Sequence, residues 1–174
     1  CRLVNQALAD QPEHARRQFG QVLDDLVLRE DVAHGRELNA QAIHLDPQRF
    51  RHLAFDVRDN VYVNILWIKG PGVIGTHKHR GKVWAVGLEG TFRYLEYDWV
   101  CGPGDFITET PGTAHTLVTD DPNGMKALFH MQGANEFYDE NGNHVETLDV
   151  WWFINHYESY CKEHGIAINP ALYR

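Results

Sequence analysis

Gly72-Val73-Ile74-Gly75-Thr76-His77-Lys78-His79, with Pro111-Gly112-Thr113-Ala114-His115 further along, decides how this chain is read. Two histidines at i and i+2 of a β-strand project to the same side, about 6.5 Å apart by the strand rise. From there both imidazoles can reach one metal ion at about 2.0–2.2 Å. His115 follows a Pro-Gly turn, the punctuation that joins neighbouring strands, and begins an extended run. Three neutral nitrogens on strands make a metal site with open positions, so His77, His79 and His115 are the expected ligands.

Outward from this core the pattern is that of short strands. Val61 to Trp67 is rich in β-branched and aromatic residues. Val83 to Leu88 and Thr91 to Tyr97 flank Glu89-Gly90 and predict a hairpin. Phe106 to Glu109, His115 to Thr119, Met125 to Met131 and Glu136 to Tyr138 follow, each bounded by turn residues. Asn141-Gly142 marks a further hairpin. Many short strands at turn spacing predict an all-β sandwich or barrel. Trp84, Phe92, Phe106, Phe129 and Tyr138 are the expected aromatic core.

The two ends are helical in pattern. Residues 1–45 form an expected N-terminal helical extension, with Asp10 and Pro12 as a start signal and Ala15, Phe19, Val22, Leu23 and Leu26 at helical spacing. Residues 46–174 form the expected β domain, closing with a helix over 148–164. In that helix Val150, Ile154, Tyr157 and Cys161 form one stripe and Gly165 stands at the C-cap.

Composition narrows the function classes. The chain of 174 residues carries a formal charge of −8, which disfavours a nucleic-acid partner because phosphate binding wants a basic face. No run of about 18 apolar residues spans a membrane, and the opening residues run into polar sequence rather than the apolar core of a signal peptide. Three widely spaced cysteines, Cys1, Cys101 and Cys161, read as free thiols of a reducing compartment, so a cytoplasmic location is expected. The extra helix and exposed strand edges favour a homodimer.

The two histidine segments resemble the motifs of the cupin superfamily, whose fold is a double-stranded β-helix, or jelly-roll, barrel. Gly72, His77, His79 and Gly90 match the first motif, whose glutamate position is Val83 here. Gly104, Pro111, Gly112 and His115 match the second, with one extra residue after Gly104 and Thr119 in place of an asparagine. The usual three-histidine, one-glutamate set thus becomes three histidines, which resembles the three-histidine non-haem iron dioxygenases of the superfamily. Phe92 to Trp99, Pro111 to Val118 and Asp139 to Gly142 are similar to the 2,4'-dihydroxyacetophenone dioxygenases, and more distantly to the acetylacetone dioxygenases. The resemblance covers roughly residues 50–165. It implies an Fe(II)-dependent dioxygenase of aromatic compound degradation, with zinc or nickel as substitutes on purification. The implied substrates are O₂ and a small hydroxyketone or diketone, whose C–C bond is cleaved to carboxylic acids.

Glu109, six residues before His115, matches a glutamate near the metal in those dioxygenases and is the candidate catalytic residue. It is expected to act as a base or to orient a histidine, with its pKa pushed upward by burial. Val83, and with it Ala85 and Gly87, is expected to face inward and leave room for a ligand. His130 is a candidate donor from inside the barrel, and only one of Arg93 and Tyr94 can face in. Two rivals stand beside this reading: a non-catalytic, zinc-binding sensor or interaction module, and a cupin acting on sugars or amino acids. Oxygen uptake separates the first reading from both.

Overall fold

The computed structural model describes residues 48–174. The expected helical extension over 1–45, with Cys1 and the histidines at 14, 34 and 44, lies outside the described residues.

Among the described residues ten strands make two five-stranded antiparallel sheets. β1 (Gln48–Asp56), β2 (Val61–Ile68), β8 (Met125–Gln132), β4 (Val83–Gly90) and β6 (Phe106–Glu109) form one, in that order. β10 (His144–Leu148), β9 (Asn135–Tyr138), β3 (Gly72–His79), β7 (Ala114–Thr119) and β5 (Arg93–Tyr94) form the other. Alternation sets the inner faces: in β2 Tyr62, Asn64, Leu66 and Ile68 are buried, while Val63 and Trp67 between them are partly exposed. The β9–β10 hairpin turns at Asn141-Gly142, where Gly142 takes φ 79° and Asp139 accepts the backbone N–H groups of Asn141 and Asn143.

The expected hairpin at Glu89-Gly90 does not form. β4 and β5 belong to different sheets: β4 lies between β8 and β6, and β5 is a two-residue strand on β7. Gly90 instead carries the chain across from one sheet to the other. Its φ is 62°, and a Cβ there would lie 1.9 Å from the carbonyl oxygen of Gly124. The local turn signal was real, but long-range pairing overrides it.

The helix α1 runs Val150–His164. Asp149 accepts from the N–H of Trp152 at its start, and Gly165 ends it in the left-handed region at φ 66°. The apolar stripe faces the barrel: Val150, Phe153, Ile154, Tyr157 and Cys161 are buried. Phe153 packs its ring edge-on to Phe50 of β1 at 5.4 Å and against Tyr62 of β2 at 4.4 Å. A buried side chain of this size contributes about 1.5–3 kcal/mol. No described helix is long and apolar enough to cross a membrane.

Of the expected aromatic core, Phe92 and Phe129 are buried and Tyr138 is half-buried. Trp84 and Phe106, each 45% exposed, lie on the outer side of their sheet. Val83 and Ala85 on either side of Trp84, and Ile107 after Phe106, take the inner positions, so alternation rather than residue size decided the facing.

Candidate metal centre

β3 carries a register shift between Ile74 and His77. Strict alternation from Ile74 would turn His77 and His79 outward. The irregularity at Gly75-Thr76 resets the parity, so that Ile74, His77 and His79 are all buried. His77 then stands directly across the ladder from His115 on β7.

One ligand atom from each of His77, His79 and His115 lies within 4.8 Å of the others, and all three residues are buried. The Nε2 atoms of His77 and His115 face each other at 3.1 Å. The Gly75 carbonyl, 2.8 Å from His77 Nδ1, can only accept, so Nδ1 carries the proton and Nε2 keeps its lone pair. Burial, with the adjacent His79 and His115, lowers the His77 pKa to about 3; burial likewise lowers that of His115. Two of the three imidazoles are thereby held neutral, the form in which they bind metals.

Glu109 enters from the other sheet. Its Oε2 lies 2.8 Å from His79 Nε2 and 3.2 Å from His115 Nε2, and its Oε1 accepts from the Tyr94 hydroxyl. Burial alone would raise this carboxyl. Contact with His79, the electrostatics of the adjacent His79 and His115 rings and the hydrogen bond from the Tyr94 hydroxyl bring it below its ordinary value. The upward shift expected from burial is therefore corrected, because the carboxylate is buried with partners.

Ligands at about 2.1 Å in adjacent octahedral positions stand about 3.0 Å apart. The 3.1, 2.8 and 3.2 Å separations at this centre match that edge. The residues present thus fit a divalent transition metal, with neutral nitrogens as the main donors and one carboxylate against two of them.

Tyr94, not Arg93, is the residue that faces inward. Arg93 reaches outward to Asp120 at 2.9 Å. The Tyr94 ring stacks on His115 at 4.0 Å and 6° between planes, and burial together with the Glu109 charge holds its hydroxyl well above its ordinary pKa. Glu96 accepts the Thr116 N–H at 2.8 Å, pinning the backbone beside His115. His130 does not reach the interior. It is on the outer side of β8, its ring tilted against Trp84 at 4.9 Å, because Phe129 takes the inward position.

A cavity opens on one side of the histidines. Its empty space, open solvent at the mouth included, is about 510 Å³. His77, His79, Tyr94 and Asn135 line it with an apolar wall that includes Phe50, Phe129, Phe137 and Phe153. Glu109 is not among the lining residues. Val83 and Ala85 do face inward, fully buried, yet the room is not theirs. Nor is it at Gly87, where a Cβ would lie 2.1 Å from the Gly102 carbonyl oxygen: the turn after β5 already fills that space.

No protein-family model and no curated protein matches the chain. Solved structures do. An RmlC-like cupin protein from Ralstonia eutropha superposes with a TM-score of 0.70 at 21% identity, covering 83% of this chain and 98% of its own. An acetylacetone dioxygenase from Acinetobacter johnsonii gives 0.61 at 11% identity, covering 76% and 95%. A putative acetylacetone dioxygenase from Methylibium petroleiphilum gives 0.64 at 12%, covering 75% and 92%. At such identities the likeness establishes the fold: the described residues form an all-β cupin jelly roll.

Proposed function

We propose that this chain is an Fe(II)-dependent dioxygenase that cleaves a C–C bond of an aryl α-hydroxyketone, or of a β-diketone, to carboxylic acids. The observation that carries this reading is the meeting of three buried histidines with an apolar, aromatic-walled cavity that two of them line. Two dioxygenase-named neighbours at low identity are in keeping with it.

His77, His79 and His115 would hold the ion, which when bound supplies Lewis acidity and an electron path from an enolate to O₂. The Gly75 carbonyl keeps the His77 lone pair directed at the site. Tyr94 fixes Glu109, and Glu109 in turn stands against His79 and His115. Since Glu109 Oε2 stands at a ligand–ligand distance from the same Nε2 atoms of His79 and His115 that would bind the ion, and Glu109 is absent from the cavity wall, we assign it as a further donor to the ion rather than as a group acting on the substrate. Phe50, Phe129, Phe137 and Phe153 would bury the aryl part and exclude water from the reacting end. For 2,4'-dihydroxyacetophenone the products would be 4-hydroxybenzoate and formate, both oxygen atoms of O₂ being retained in them.

Oxygen consumption tests the reading. Protein loaded anaerobically with Fe(II) and given 2,4'-dihydroxyacetophenone or acetylacetone should consume one O₂ per substrate cleaved. No uptake across hydroxyketones and diketones by a fully iron-loaded sample would contradict it.

A further inference from the structure

Asn64 sits on the inner face of β2, between Tyr62 and Leu66, and is 1% exposed. Its cross-strand neighbours are His52 and Phe129. Among the described residues neither its Nδ2 nor its Oδ1 has a hydrogen-bond partner. A primary amide offers two donors and an acceptor, and leaving them unmet inside a protein opposes folding. An apolar residue of the same size would serve a closed core better. Asn64, however, lines the cavity that holds His77 and His79.

Asn135 has the same character. It stands directly across from His79, lines the same cavity, has an unpartnered Oδ1, and reaches only Met131 Sδ, at 4.0 Å, with Nδ2. The two amides mark different ends. Asn135 is beside a histidine of the centre. Asn64 is on the opposite sheet, on β2, which pairs with neither β3 nor β7, the strands of the three histidines.

We infer that Asn64 is a specificity-determining residue that receives a hydroxyl group on the end of the ligand remote from the three histidines. A hydroxyl donates and accepts at once, and so uses both Oδ1 and Nδ2. A ketone would engage Nδ2 alone, and an ammonium Oδ1 alone. A carboxylate would be a buried charge in a wall that contains no lysine or arginine. The ligand class is therefore a neutral ring compound with a metal-binding oxygen pair at one end and a hydroxyl at the other. This rests on the proposed reading of the centre as the place where the oxygen pair binds.

Zinc-loaded protein tests it by calorimetry, since zinc does not turn the ligand over. The probes are 2,4'-dihydroxyacetophenone and 2-hydroxyacetophenone, which differ by the remote hydroxyl alone. Wild type should prefer the dihydroxy compound by about tenfold or more, the value of one well-made hydrogen bond. Asn64→Leu should bind both equally, keep its zinc, and melt no lower than wild type because two unmet polar atoms are gone. Asn64→Ala, which only shortens the side chain, should lose the preference as well. Equal binding by wild type, or a preference unchanged in both variants, overturns the Asn64 assignment and leaves the centre's reading intact. Binding of neither compound by zinc-replete wild type overturns both.

Discussion

Glu109 on β6 stands directly across the ladder from Val83 on β4, and both side chains are buried inside the barrel. Val83 occupies the position where the cupin motif it resembles has a glutamate. The carboxylate missing from β4 is thus supplied one strand over, from β6, against His79 and His115.

Val83→Glu would put a second carboxylate beside Glu109 in a dry site. Two like charges there cannot both ionise without a cation. The metal-free variant is expected to lose on the order of 3 kcal/mol of stability, with zinc restoring most of it. Thermal unfolding with and without zinc measures this. Unaltered stability without metal would place residue 83 away from the carboxylate.

Glu109→Gln removes the charge and keeps the shape. Metal affinity should fall roughly 10–100-fold or more, because a neutral amide oxygen replaces the carboxylate that stands against His79 and His115. Competition against a chelator gives the number, and turnover on the same preparation separates binding from chemistry. Wild-type affinity with turnover lowered by about 10²-fold or more would make Glu109 a proton acceptor instead.

Tyr94→Phe keeps the ring on His115 and removes the hydroxyl that donates to Glu109. A hydrogen bond to a charged group is worth about 1.5–3 kcal/mol, so urea unfolding should shift by that order. Tyr94→Leu, which also removes the stacking, should lose more.

Acid sensitivity is expected at the seam between helix and barrel. His52 Nε2 lies 3.1 Å from His156 Nδ1, and burial, then the charge of His156, lowers the His52 pKa from 6.5 to about 3. Folded His52 stays neutral across that window while the unfolded chain takes up the proton. Stability therefore rises with pH there, and is lost as pH falls from 6.5 towards 3. The slope for one proton approaches about 1.4 kcal/mol per pH unit. His52→Phe should reduce the slope by this one-proton share, the part due to His77, whose pKa is lowered to about 3 likewise, remaining, as read from melting temperature against pH.

The histidine triplet was legible because its signal is local: an i, i+2 pair in a strand and a Pro-Gly turn before the third. The stripe of α1 and its glycine cap were legible for the same reason. Tyr94 as the partner of Glu109 was not, since that contact joins strands of different sheets through a pairing no short window records. Glu89-Gly90 misled in the opposite sense, a turn dipeptide spent on a crossing between sheets. Gly87 looked like room for a ligand, but a distant turn fills it. Asn64 carried no signal at all: a lone asparagine among apolar residues has meaning only once its cavity is known.

The proposed metal centre stands on His77, His79 and His115 together. Elemental analysis after dialysis against a divalent metal, on wild type and the three single alanine variants, tests it most directly. Wild type should hold one ion per chain and each variant should lose most of its occupancy, with the folded barrel retained by circular dichroism. Full occupancy in any one variant would contradict it.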